Sequence, residues 1–241
     1  MGVIMAQRAS GTDYPFASVE NDNFIVLGPA DVVEGALETA DAYRRQIAMD
    51  WLGRELRPGE ARAHIYLHLD GSVDQSLLHP ANPENGRPHI LSLATTRADL
   101  ERALAHELAH VVLRARNSAR ALPRWADEGI ASAYDDRERH LIRRQILVGF
   151  VEAGNWPPLA AILQAERISM QDQAAYAVAA SLTEFLLQEA DRETFLTFLD
   201  HGQTAGWDQA LAAHYRISGV GDLQLRWQRW VADQPSASIG D

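Results

Sequence analysis

The apolar positions change period along the chain, and each change marks an element. Asn23–Gly28 (NFIVLG) is a short apolar run closed by Gly28-Pro29, the pattern of a buried strand. Val32, Val33, Ala36, Leu37, Ala40, Tyr43 and Ile47 then recur at helical spacing. They predict a helix capped at Asp31, running to about Leu52 and ended by Gly53 and Pro58-Gly59. Between Ala61 and Leu69 the period falls to two. Ala63, Ile65, Leu67 and Leu69 alternate with Arg62, His64, Tyr66 and His68, which predicts a strand with its histidines on the surface. Asp70–Pro88 carries Gly and Pro with little periodicity and reads as a long loop. Pro88–Ala94 (PHILSLA) predicts another strand, and Thr96-Arg97-Ala98-Asp99 fits a capping box that opens a helix.

Strand patterns stop there. Arg114–Arg120 is a polar link, and Pro123 suits the first turn of a helix running to about Tyr134. Helical patterns follow near 136–153, 158–167, 172–190, 192–201, 206–214 and 219–232. Residues 1–22 and the tail 233–241 read as loose ends. The expected class is α+β: a small N-terminal sheet with helices over 23–117, then an all-helical subdomain over 118–232.

Composition narrows the function. The 241 residues are 46% apolar, enough for a sizeable core. No apolar run approaches the length of a membrane span. A net charge of −11 without a basic block argues against nucleic acid as a partner. All 22 basic residues are arginine, which excludes Schiff-base lysine chemistry, and the lack of cysteine excludes disulfides and thiolate metal sites. Residues 1–12 lack the apolar core of a signal peptide. The compartment stays open: the chain is expected to be cytoplasmic, or exported with its signal removed.

The chemistry concentrates at His106-Glu107-Leu108-Ala109-His110. Residues four apart on a helix are rotated by about 400° and return to nearly one face. His106 and His110 can therefore offer two imidazoles to one metal ion, while Glu107, about 100° round, can reach a water beside it. The flanking Leu100, Leu104, Ala105, Leu108, Ala109, Val111, Val112 and Leu113 predict a buried helix. A buried His-Glu-His trio without a partner would cost several kcal/mol. A zinc ion removes that cost.

Catalytic zinc usually takes three protein ligands. Glu128, in Pro123-Arg124-Trp125-Ala126-Asp127-Glu128-Gly129-Ile130-Ala131, is the candidate third, with Asp127 as its competitor. Its longer side chain favours Glu128; the alternative is that both acids form a solvated face. Gly129 costs about 1 kcal/mol in a helix relative to alanine, which suggests a close helix–helix approach beside the zinc helix.

His-Glu-Leu-Ala-His followed by Trp125-x-x-Glu128-Gly129-x-Ala131 resembles the gluzincin metallopeptidases, most of all their peptidase MA-like branch. Ala175-Tyr176-Ala177 and Trp227-Gln228-Arg229-Trp230 are similar to that branch more loosely. The resemblance implies a thermolysin-like split, one zinc held by His106, His110 and Glu128, and peptide-bond hydrolysis with Glu107 as general base. It also implies Tyr176 as a donor to the developing oxyanion, and a peptide substrate pairing with the strand 88–94. Tyr176 could equally be a core tyrosine bonded to a backbone carbonyl. Tyr134, His201 and His214 are lesser candidates that read as structural. Two departures stand out. Ser132 occupies the place where some gluzincins carry an acid four residues past the third ligand, and Glu84-Asn85-Gly86 does not match the aminopeptidase G-x-M-E-N signature. Exopeptidase action is therefore unsupported. The rival readings are a non-peptidase zinc amidase and an inactive zinc-binding interaction module.

Overall fold

An Asn-Asp-Asn turn, Asn21-Asp22-Asn23, joins the first two strands of the described chain. Asn21 Oδ1 accepts from the backbone N–H of Asn23 and of Phe24, both at 2.9 Å, and reverses the chain between two strands. They are β1 (Phe16–Glu20) and β2 (Phe24–Pro29), paired antiparallel. The computed structural model describes residues 16–69, 75–81, 87–116, 120–169 and 171–234. The expected loose ends before Phe16 and after Gln234, the Glu84-Asn85-Gly86 segment and part of the polar link lie outside them. β1 corrects the reading of 1–22 as a loose lead-in. Its sequence, FASVE, has no alternation, so only pairing with β2 makes it a strand.

The chain divides into two compact units, Met1–Arg120 and Ala121–Asp241. In the first, α1 (Val33–Leu52) follows β2 and ends at Gly53, whose φ of 64° is the left-handed conformation that glycine adopts at low cost. Then come β3 (Ala63–His68), β4 (Gln75–His79), β5 (His89–Ala94) and α2 (Leu100–Arg114). The sheet order is β1-β2-β3-β5-β4. β2, β3 and β5 run parallel, while β1 and β4 pair antiparallel at the two ends. Alternation along the parallel strands buries Phe24 and Val26, Ala63, Ile65 and Leu67, and Leu91 and Leu93. α1 and α2 pack on each other and on the sheet. The expected capping box at Thr96 is corrected: Thr96 Oγ1 accepts the Asp99 N–H at 3.1 Å and donates to the Asp99 carboxylate at 2.6 Å, closing a turn ahead of α2, while the helix itself starts after Asp99 without a side-chain cap.

Two expectations change here. The supposed loop 70–88 contains β4. And β5, expected to offer its edge to a substrate, is flanked by β3 on one side and β4 on the other. Its main-chain groups are used within the sheet, so the terminal strand on that side is β4.

The second unit contains only helices among its described residues. They are α3 (Arg124–Ala131), α4 (Arg137–Ala153), α5 (Leu159–Gln164), α6 (Gln173–Glu189), α7 (Arg192–Ala205), α8 (Trp207–Tyr215) and α9 (Val220–Asp233), with a 3-10 turn at Ser132–Tyr134. α6 is the central helix, packed by α3, α4, α5, α7 and α9. Its apolar side, Ala177, Val178, Ala179, Leu182 and Leu186, is fully buried. Trp227 Nε1 of α9 donates to Ser181 Oγ of α6 at 3.2 Å. The chain is thus α+β, with a small mixed N-terminal sheet and mostly helix. No helix among the described residues is long and apolar enough to cross a membrane.

Candidate metal centre

The middle of α2 is buried on nearly every side. Leu104, Ala105, Leu108, Ala109, Val111 and Val112 are all at most 1% exposed. Against that lining stand the motif's polar groups. The four-residue spacing brings the rings of His106 and His110 to 5.2 Å between centroids, with their planes 76° apart. His110 is buried and His106 half-buried. Glu107 is only 7% exposed. Its carboxylate accepts a hydrogen bond from the Ser76 hydroxyl of β4. Sequence reasoning missed Ser76, because Gln75-Ser76-Leu77-Leu78-His79 has no strand period of its own. The strand exists through its antiparallel register with β5, in which Ser76 stands opposite Leu93.

In the second unit, α3 presents both acids to the interior. Glu128 is 1% exposed and Asp127 is buried as well, which overturns the alternative of a solvated acidic face. Both meet one guanidinium. Arg124 forms an ion pair with Glu128 one helical turn on and approaches Asp127 Oδ2 at 3.5 Å. A carboxylate has about four lone-pair sites, so an arginine contact and a metal bond are compatible.

Gly129 has the close neighbour its sequence suggests, but a different one. A Cβ at this position would lie 2.0 Å from Thr183 Oγ1 and 2.6 Å from the Ala179 carbonyl oxygen, both on α6. The glycine lets α3 sit against α6; its expected role beside the zinc helix is corrected accordingly. Tyr176 lies half-buried in the first turn of α6, three residues before Ala179 and seven before Thr183, so it shares the α3-facing side of that helix. His201 and His214 use ring nitrogens on each other, Nδ1 to Nε2 at 3.2 Å. Ser132 is buried in the 3-10 turn after α3.

Two imidazoles and a carboxylate, His106, His110 and Glu128, are a group that could hold a metal ion. The chemistry of the donor set fits a borderline divalent ion such as zinc. No protein-family model matches this chain, and no curated protein matches it.

Proposed function

We propose that this protein is a zinc-dependent metallopeptidase of gluzincin type. The observation that carries the reading is the His-Glu-x-x-His helix itself. Its two histidine rings sit side by side, and between them in sequence is a buried glutamate oriented by a hydroxyl from another element. In this reading His106, His110 and Glu128 hold the ion. A bound zinc would lower the pKa of a water and polarise the substrate carbonyl.

The chain's own groups account for the rest. Glu107 takes a proton from the attacking water and passes it to the leaving amine, the work of a general base and then a general acid. Ser76 keeps the carboxylate oriented for that transfer. Tyr176 is the proposed donor to the developing oxyanion. A peptide would pair by its main chain with β4, the terminal strand, in place of β5. A thermolysin-like fold class belongs to this same proposal.

The test is metal analysis of the purified chain together with hydrolysis of an unstructured protein, with and without a chelator. Glu107→Gln keeps the shape of the side chain and removes the base. Activity should fall by about 10²–10⁴-fold while metal content is retained. A variant that loses metal and activity together would make Glu107 a ligand or a support. A parent that holds zinc yet cleaves only simple amides would move the reading to an amidase, and one that cleaves nothing would move it to an interaction module.

A further inference from the structure

The opposite end of the same sheet holds a second concentration of chemistry. β3 and β5 begin at Ala63 and His89, and α2 ends at Arg114. Around these termini is a cavity of about 670 Å³ lined in part by Glu60, Arg62, His64, Arg87, His89 and Arg114. Ser76, which marks the Glu107 end, stands opposite Leu93 near the far end of β5. Arg114 lies one helical turn beyond His110, about 6 Å along the axis, but none of His106, Glu107, His110 and Glu128 lines the cavity. The cavity thus shares no lining residue with the candidate metal centre, and its size is in the range of small-molecule sites.

Its polar groups are mostly donors. Arg114 Nε is buried without a hydrogen-bond partner, a costly state for a charged group. His89 Nδ1 accepts the Ala81 N–H at 3.1 Å, so the neutral ring carries its proton on Nε2 and keeps a donor there. Among the described lining residues the one carboxylate is Glu60, engaged by Arg54 at 2.7 Å and by the Arg57 N–H at 3.0 Å. Arg62 has a single long contact, 3.8 Å to Glu20. In a chain of net charge −11, the described lining of this pocket carries three arginines against one carboxylate. Burial first, and then the charge of Arg114, push His89 down to about 4.

We propose that this cavity binds a small organic anion through a phosphate or carboxylate group, with Arg114, Arg87 and the His89 ring as its donors. Arginine forks and a neutral imidazole suit an oxyanion, and both source groups share that chemistry. The charge of Arg114 beside His89 favours a negative ligand there.

Titration calorimetry on the full chain tests this with sodium phosphate and with sodium succinate, using chloride at matched ionic strength as the reference. Saturable binding is expected for at least one anion, weaker by about tenfold or more in Arg114→Gln, the loss of a charge-assisted hydrogen bond. Arg87→Gln, at an exposed position, serves if the first variant does not fold. The His89 ring should titrate at higher pH with the ligand bound. Phosphate alone binding would point to phosphate esters, succinate alone to carboxylates, and both to a general oxyanion site. The proposal is overturned if neither anion exceeds chloride, or if the folded variants bind as the parent does.

Discussion

Ser76 on the terminal strand β4 donates its hydroxyl to the carboxylate of Glu107, 31 residues further along on α2. A carboxylate in a buried site can rotate among several orientations; a hydroxyl fixed on a strand selects one of them. Under the proposed function, Ser76→Ala should lower kcat about tenfold, the order of one lost hydrogen bond. KM and metal content should stay unchanged, and Ser76→Thr should recover most of the loss. A rise in KM at constant kcat would instead place Ser76 in contact with substrate.

The competition between the two acids on α3 has a direct readout. Both are buried beside Arg124. Glu128→Ala should reduce bound metal sharply, by tenfold or more in affinity, as expected for the loss of one of three ligands. Asp127→Ala should leave it near the parental level. Metal analysis after dialysis against a weak chelator measures both, and the reverse result would assign the ligand to Asp127.

Gly129→Ala sets two effects against each other. Alanine improves helix propensity by about 1 kcal/mol. Its Cβ, however, would lie 2.0 Å from Thr183 Oγ1 and 2.6 Å from the Ala179 carbonyl oxygen. Overpacking of this kind costs about 1–3 kcal/mol or more, so the variant should unfold at lower urea concentration. Adding Thr183→Ala should recover only part of the loss, because the backbone carbonyl of α6 remains in place. Parental stability in Gly129→Ala would mean that α3 can shift away from α6 without cost.

His89 gives a pH dependence with a defined sign. Its ordinary value is 6.5; burial first, then the charge of Arg114, lowers it to about 4 in the folded chain. As pH falls from about 6.5 toward 4, the unfolded chain takes up a proton there that the folded chain refuses. Stability from this residue is thus fully present above 6.5 and is lost toward 4. Denaturant midpoints at pH 7 and pH 5 should differ less in His89→Asn than in the parent. An equal difference in both would show that His89 titrates normally in the folded state.

How much of this was legible beforehand varies by element. The strands 24–29, 63–68 and 89–94 and the helices from α1 to α9 follow periods that lie within a single segment, and they were read to within a few residues. β1 and β4 were not. FASVE and QSLLH carry too little alternation to declare themselves, and each becomes a strand only by hydrogen-bonding to a neighbour. Missing β4 had two consequences for the candidate site: the substrate edge was placed on β5, and Ser76 was overlooked. His64 was read as a plain surface histidine because its cavity is assembled from residues between Gly59 and Ala115.

Local spacing alone placed His106 and His110 on one face of α2, with Glu107 between them in sequence. The helical repeat is a property of the backbone and needs no distant partner. The same holds for the change from strands to helices past Arg114. Tertiary structure alone decided which strand ends the sheet, which hydroxyl orients Glu107, which helix Gly129 accommodates, and that Asp127 and Glu128 are buried. Each of these depends on groups brought together by folding, and a sequence period describes only the segment that carries it.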